Sequence, residues 1–297
     1  MKIRLMLLLL AAVAGSCSKQ VTITIPDEGN KLVMNLLMAK DSLITAQILM
    51  SKYIEIRNAP DPSGSIQTIS NARVFLYEND VFKETMTMHK QGNYAYYLST
   101  FSAKPGFKYF VRAELPDAPD IPAVEGADAI PLPVAVGEMS VKKISDNQRE
   151  AKANVSFEIR GDPGIKNYYR VRIYEHLNHD DVGTDKSLLQ LPIQSSDPSD
   201  VMFGKKERQE VFIDDQFLDG RRRRLSFIAT SWLGFKNPVV IEVTTLTYAS
   251  YNYLYSSMMA EEKNDNILSE KVIVFNNVLY GLGIVGGMSI NRYPVEY

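Results

Sequence analysis

Apolar and polar residues alternate in short stretches along most of this chain. Ala153–Ile159 and Tyr168–Glu175 each place large apolar side chains at every second position. A period of two predicts β-strands that bury one face and expose the other. Two further stretches, Ala72–Glu78 and Val81–Met88, flank Asn79–Asp80, and this spacing predicts a β-hairpin.

One stretch, Leu246–Lys263, has the periodicity of a helix. Its apolar residues recur three and four positions apart, which places them on one helical face. We expect this face to pack on a sheet, in preference to binding a cofactor or a membrane. The face consists of Tyr251, Leu254, Tyr255, Met258 and Met259.

Prolines cluster between residues 116 and 137, where they remove hydrogen-bond donors and favour extended backbone. We predict a Pro-rich linker at 116–137 between two domains. The predicted fold class is mainly β, with two β-sandwich-like domains and one packed helix near residues 246–263. Residues 31–115 form the N-terminal β-sandwich, prealbumin- or immunoglobulin-like by fold analogy, and residues 138–297 form the C-terminal β-rich domain.

The N-terminus has the order of a secretory signal: basic, then apolar, then small residues. The apolar run Leu5–Ala14 is shorter than the ~20 residues that span a bilayer. It leads into Ala14–Cys17, which resembles a bacterial lipobox with alanine where leucine is commonest. We predict a lipoprotein signal peptide at 1–16 and a lipidated tether at 17–30. The alternative is an ordinary signal peptide followed by a chance cysteine.

Cys17 is the only cysteine in the chain. Its thiol is the predicted lipid-attachment site, because an exported chain would otherwise carry an unpaired reactive thiol. Multiple acyl chains such as palmitate anchor a protein stably. Ser18 follows the cysteine, so the aspartate that indicates inner-membrane retention is missing. We therefore predict attachment to the outer membrane, with its periplasmic and cell-surface faces both open as alternatives.

Composition narrows the classes of function. The net charge of −2 provides no electrostatic basis for nucleic-acid binding. With Cys17 lipidated no intrachain disulfide can form, so stability depends on hydrophobic cores. The chain has three histidines and lacks the Gly-x-Ser-x-Gly nucleophile motif. We predict no catalytic residue, no cofactor and no nucleic-acid partner.

Four residues are weak candidates for a metal site: His176, His179, Asp180 and Asp181. Imidazole and carboxylate groups this close together can bind zinc or a similar metal. Two histidines in one loop do not complete a ligand set, so we expect an exposed polar loop and assign no metal. His89 lies on a distant predicted strand.

The strongest charge run consists of Arg221, Arg222, Arg223 and Arg224. One interpretation is a patch for an anionic partner, such as a phosphate, an acidic glycan or a lipid headgroup. The favoured interpretation is the solvated start of a strand, offset by aspartates at 214, 215 and 219. Alternate residues of a strand face opposite sides, which halves any single patch.

Gly281, Gly283 and Gly286 have the spacing of a dinucleotide-binding turn. That motif requires a strand, a following helix and a further acidic residue, and too little chain follows Gly286 to supply them. We expect instead a strand that another backbone approaches closely.

Several segments, in this order, resemble domain-of-unknown-function family 4249. The resemblance implies a lipoprotein of a Bacteroidota-type bacterium, typically encoded beside a TonB-dependent outer-membrane receptor. It implies no catalytic residues. The segments are Asn71–Glu78, Gly92–Tyr94, Lys104–Tyr109, Asn167–Val171, Phe212–Phe217 with Asp219–Gly220, Tyr248–Leu254 and Asn276–Gly287.

The leading hypothesis is a non-catalytic outer-membrane lipoprotein that binds a ligand or assists a TonB-dependent uptake receptor. A rival is a cell-surface hydrolase of glycan or peptide, motivated by carboxylates around Asp180–Asp181 and Asp214–Asp215. Such an enzyme needs two carboxylates about 5–9 Å apart in a cleft. A third hypothesis is a structural protein of the envelope.

Overall fold

The computed structural model describes residues 30–51, 68–147, 150–161, 166–176, 188–196, 206–214, 222–232, 234–235, 238–263 and 270–296. Within these ranges the chain is built mainly of strands, with one helix. The elements are β1 (Leu32–Ala39), β2 (Leu43–Met50), β3 (Arg73–Glu78), β4 (Val81–Thr85), β5 (Thr87–Gln91), β6 (Tyr94–Ser102), β7 (Lys108–Glu114), β8 (Val124–Ala129), β9 (Val136–Asn147), β10 (Glu150–Arg160), β11 (Tyr168–His176), β12 (Leu188–Leu191), β13 (Ile193–Ser195), β14 (Val211–Asp214), β15 (Arg222–Ser231), β16 (Val239–Leu246), α1 (Tyr248–Lys263) and β17 (Leu282–Val295).

These strands form three sheets. The largest has nine strands in the order β12-β11-β16-β17-β1-β2-β6-β5, with β14 also paired to β11. The two smaller sheets have four strands each, in the orders β13-β15-β10-β9 and β4-β3-β7-β8. In the centre of the large sheet β1 pairs with β17 in parallel, whereas β1–β2 and β16–β17 are antiparallel.

Each small sheet packs on a different part of the large sheet, and a separate hydrophobic core lies between each pair of sheets. One core joins β1 and β2 to β3, β7 and β8, with Tyr109 among its fully buried side chains. The other joins β11 and β16 to β10 and β15, around Phe157 and Phe227. The prediction of a mainly β, sandwich-like protein with one helix is confirmed.

Alternation along the strands explains which residues enter the cores. In β1, Leu32, Met34, Leu36 and Met38 are buried, while the residues between them face the other side of the sheet. In β10, the predicted apolar face of Ala153–Ile159 lies in the second core. Burial of one strand face against a second sheet is the main source of stability expected in such a sandwich.

The predicted hairpin at Asn79–Asp80 is confirmed. Glu78 pairs with Val81, and the two turn residues have φ angles of 51° and 64°. Positive φ at both central residues is the geometry of a type I′ turn, which matches the twist of paired strands. The single predicted strand Val81–Met88 is instead divided between β4 and β5, which belong to different sheets. Met86, between them, is buried and donates its N–H to the Val74 carbonyl.

The large sheet draws strands from both predicted domains. The predicted linker 116–137 includes β8, which pairs with β7 along its length. Along the chain, the first core extends to Ile130 and the second begins at Val134, but Val278 and Val285 return to the first core. The described helix lacks the length and apolar character that crossing a membrane requires.

Candidate functional site

The leading candidate site is an open groove of about 770 Å³ on the outer face of the large sheet. Its floor lies on β17, β1 and β2, where Asn35 pairs in register with Ile284 on one side and Gln47 on the other. Alternation along β1 buries Met34 in the core and turns Asn35 to the opposite face. Thr45, two positions before Gln47, extends the polar floor.

Aromatic side chains border this floor. Tyr94 and Tyr96 line the groove from β6, and Tyr253 lines it from α1. His89, opposite Tyr96 on β5, stacks on the Tyr96 ring with centroids 5.6 Å apart and an interplanar angle of 18°. Tyr94 is 55% exposed, so much of its ring is available for contact. The groove therefore offers apolar ring surface beside hydrogen-bonding amides.

The described lining residues carry no formal charge. Three of them, Asn35, Gln47 and Gln91, have amide side chains that both donate and accept hydrogen bonds. A charged ligand would find no opposite charge among them, whereas a neutral polar ligand would find both donors and acceptors. The chemistry of the groove favours reversible recognition of such a ligand.

Helix α1, which supplies Tyr253, is seated on the outer face of β17. Ser250 is the residue of α1 that is fully buried, and its Oγ donates a hydrogen bond to the Gly287 carbonyl at 2.9 Å. A Cβ at Gly286 would lie 2.3 Å from Ser250 Oγ. Glycine at 286 is therefore what permits this approach. The expected close approach of another backbone is confirmed at Gly281 and Gly283, where an added Cβ would lie 2.4 Å from the Leu32 carbonyl oxygen and 2.2 Å from the Met34 carbonyl oxygen. The predicted apolar stripe contributes as well, since Tyr251 packs on Tyr168 with centroids 5.0 Å apart.

A polar junction fixes the first turn of α1. The Thr247 hydroxyl donates to the Asp128 carboxylate, and Thr247 Oγ1 accepts the Ser250 N–H at 3.2 Å, as an N-cap residue does. Asp128 also accepts the Gly287 N–H at 2.9 Å. Burial raises the pKa of Asp128, and its hydrogen bonds from Thr247, Ala129 and Gly287 oppose that rise. Asp128 thus ties β8, β17 and α1 together.

A row of charged residues crosses β11, β16 and β17 on the same outer face. Glu242, only 1% exposed, accepts from Arg292 Nε at 2.8 Å and lies 3.8 Å from Arg172 Nη1. Glu210 accepts from Arg172 Nε at 2.6 Å and lies 3.9 Å from Arg170. Burial lowers the pKa of Arg170. Burial acts in the same direction on Arg172, but Glu210 and Tyr174 together outweigh it, so the pKa of Arg172 is raised. These mutual pairs explain the row as a structural ion network.

The predicted lipid-attachment residue Cys17 lies outside the described residues, as do His179, Asp180 and Asp181. His176 ends β11 and pairs with Leu188 on β12. Across the part of the chain that is described, no group of three or more potential metal-ligating side chains comes together. The metal hypothesis therefore gains no support from His176.

The arginine run lies at the start of β15, apart from Arg221, which is outside the described ranges. Arg222 pairs with Arg160 and Arg224 with Glu158 across β10, while Arg223 occupies the alternate position. Arg224 lies 3.5 Å from Glu138 and donates to Ser156 Oγ at 3.0 Å. Among the described residues, Glu138 of β9 therefore balances part of the positive charge of the arginine run. The sequence pattern did not single out this residue.

The carboxylates behind the hydrolase hypothesis are mostly outside the described residues. Asp214 ends β14 and pairs with Tyr168 of β11. The groove has no Asp or Glu among its described lining residues. Sequence reasoning also missed the groove itself. Its available signal was Asn35, a polar residue inside the apolar run Leu32–Met38.

The structural neighbours are distant. Parabacteroides merdae β-glucuronidase shares 10% identity, with 72% of this chain and 24% of that chain covered and a TM-score of 0.22. The same enzyme with glycerol in its active site matches with the same identity and TM-score, over 23% of its chain. The present chain thus spans about a quarter of that enzyme, and a TM-score this low carries no functional argument. No curated protein matches the chain.

The family comparison covers almost the whole chain. The family described as Domain of unknown function (DUF4249) matches residues 18–293, which begin directly after Cys17. The match includes the helix, all described groove residues and the described strands, apart from the last two residues of β17. The chain therefore belongs to the DUF4249 family.

Proposed function

We propose that this chain is a lipid-anchored binding protein of the outer membrane that works beside a TonB-dependent uptake receptor. The groove bordered by Tyr94, Tyr96 and Tyr253 is its ligand site. The observation that carries the proposal is the uncharged, aromatic and amide-rich lining of this groove. Reversible binding needs no paired carboxylates, and the described lining contains no Asp or Glu.

The anchor supports the location. The apolar run before Cys17 and the small residues beside it resemble a lipobox. An anchored binding protein stays at the membrane, where a membrane-embedded receptor is within reach. Tethering raises the effective concentration of the two partners and strengthens a weak contact between them.

Acylation of Cys17 is testable by metabolic labelling with a palmitate analogue. Wild-type protein is expected to carry the label and to fractionate with outer membranes. Cys17→Ala is expected to lose the label and to accumulate uncleaved or outside that fraction. A Ser18→Ala variant is the matched control and should behave as wild type. Unlabelled wild-type protein would remove the anchor from the proposal.

The receptor partnership is tested by pull-down in mild detergent through a tag at the C-terminus. Cells are first treated with a short membrane-permeant crosslinker, and the recovered proteins are identified by mass spectrometry. A TonB-dependent receptor should be recovered with wild type and depleted with Cys17→Ala. Recovery of no outer-membrane receptor in repeated experiments contradicts the partnership.

A further inference from the structure

We infer that the groove binds a neutral oligosaccharide, an inference that rests on the proposed binding function and specifies its ligand class. The groove volume of about 770 Å³ lies within the ~300–1,000 Å³ common for small-molecule sites. Its open form along the sheet suits a short chain of sugar units better than a compact ligand.

The ring surfaces match the apolar part of a sugar. A pyranose ring has a face of C–H groups, and an aromatic ring provides a flat apolar surface against which that face packs. Tyr94 and Tyr96 lie two residues apart on one face of β6 and border the groove together. Tyr253 offers a third ring from α1, across β17, β1 and β2.

The amides match the polar part of a sugar. Each sugar hydroxyl both donates and accepts, and so do the side chains of Asn35, Gln47 and Gln91. An apolar ligand would bury these amides without partners, which is unfavourable. An acidic sugar would bring a carboxylate or sulfate to a lining without a described cation. A neutral sugar gives the amides hydrogen-bond partners and brings no charge to the lining.

An extended peptide fits the floor less well. The main-chain groups of β1 and β2 are already paired with neighbouring strands across the floor. Peptides that bind sheets usually add to an exposed edge, where main-chain groups are available. The edge of the large sheet nearest the groove is β5, which borders the groove and does not form its floor; β12 lies at the other end of the strand order. A peptide is thus the main competing ligand, and it belongs in the test.

The test uses the full chain on an array of neutral and acidic glycans, followed by calorimetry with the best neutral binder. A Thr/Val hexapeptide and hexagalacturonic acid serve as the peptide and acidic probes. A neutral oligosaccharide should bind, and Tyr94→Ala should weaken it about 3- to 10-fold through loss of ring contact. Tyr94→Phe keeps the ring and should stay within about 2-fold of wild type.

Gln47→Ala provides a second variant, and Tyr280→Ala is the matched control. Gln47→Ala should weaken sugar binding about 2- to 10-fold through loss of a hydrogen bond. Tyr280 is 69% exposed outside the described groove lining, so its substitution should leave affinity unchanged. Circular dichroism confirms that each variant is folded before it is titrated.

Three results overturn the inference: no neutral glycan binds at millimolar concentration, the acidic or peptide probe binds more tightly, or Tyr94→Ala and Gln47→Ala bind as wild type does. The proposed function fails separately, through absence of acyl label or of a recovered receptor. Those experiments contain no sugar, so either conclusion can fall without the other.

Discussion

Gly287 offers a sharp test of how the sheet, the helix and β8 fit together. A Cβ at this position would lie 1.9 Å from the Ala129 carbonyl oxygen, 2.8 Å from the Ala129 carbonyl carbon and 3.2 Å from Ile130 Cα. All three atoms belong to the backbone, so no rotation of a side chain relieves the overlap. Relief requires β17 to move away from β8, which also weakens the bond from Gly287 N–H to Asp128.

The expected cost of Gly287→Ala follows from these contacts. Overpacking of a well-packed interior costs typically 1–3 kcal/mol, and a backbone obstacle places this change at about 3 kcal/mol. That loss lowers the folding equilibrium constant about 100-fold. It corresponds to a fall in Tm of roughly 5 °C for a chain of 297 residues, because the entropy of unfolding is about 2.1 cal/mol/K per residue.

Gly137→Ala is the matched control, because no atom lies within 4 Å of the Cβ it adds. Its free energy of unfolding should stay within about 0.5 kcal/mol of wild type. The free-energy cost of Gly286→Ala should lie between the costs of these two variants, since its Cβ meets the Ser250 hydroxyl. Adding Ser250→Ala should partly relieve that overlap and reduce the cost. Urea denaturation followed by far-UV circular dichroism measures all four variants. If Gly287→Ala costs no more than Gly137→Ala, the packing of β17 on β8 is wrong.

Three further predictions concern polar groups. Tyr97→Phe leaves the Ala72 N–H and the Ile69 carbonyl without the buried hydroxyl that bonds them at 2.8 and 3.0 Å, so urea denaturation should show a loss of about 1–3 kcal/mol. The pKa of Asp128 is raised above its ordinary 3.8, so its contribution to the free energy of unfolding is full below pH 3.8 and is lost as the pH rises through the folded pKa. Urea denaturation should therefore show that wild type loses stability relative to Asp128→Asn over that window. A gain in stability would contradict the direction of the pKa shift. Glu242→Gln removes the carboxylate charge that pairs with Arg172 and Arg292, whose side chains are 26% and 54% exposed, so solvent screening limits the expected loss to about 1 kcal/mol; an unchanged Tm in a thermal melt would contradict it.

Local sequence signals predicted the elements whose geometry is set within a few residues. Asn79–Asp80 accept positive φ readily, so the hairpin they join follows from the residues themselves. Alternation in Ala153–Ile159 identified the buried face of β10 for the same reason, because a strand turns successive side chains to opposite sides. The helix was found from its periodicity, although it begins at Tyr248 and not at Leu246.

The groove could not be predicted in this way. Its lining comes from three distant parts of the chain: β1 with β2, β5 with β6, and α1 with β17. These parts meet only through the large sheet and the helix that packs on it. The strand Val81–Met88 was predicted as one because its alternation hardly changes at Met86. Its division between two sheets depends on a contact with Val74 that no local pattern contains.

The sequence by itself determined that the chain is mainly β and that it has a helix near residues 246–263; the lipoprotein signal before Cys17 stays a prediction. These properties depend on side-chain periodicity and on short motifs, which neighbouring residues specify. Only the tertiary structure decided that β17 lies parallel to β1. It also decided that Gly286 lies against α1 and Gly287 against β8, at distances too short for a larger side chain. Strand pairing between distant segments depends on the summed packing of the whole sheet, so the groove that it creates is a property of the fold and of no single stretch.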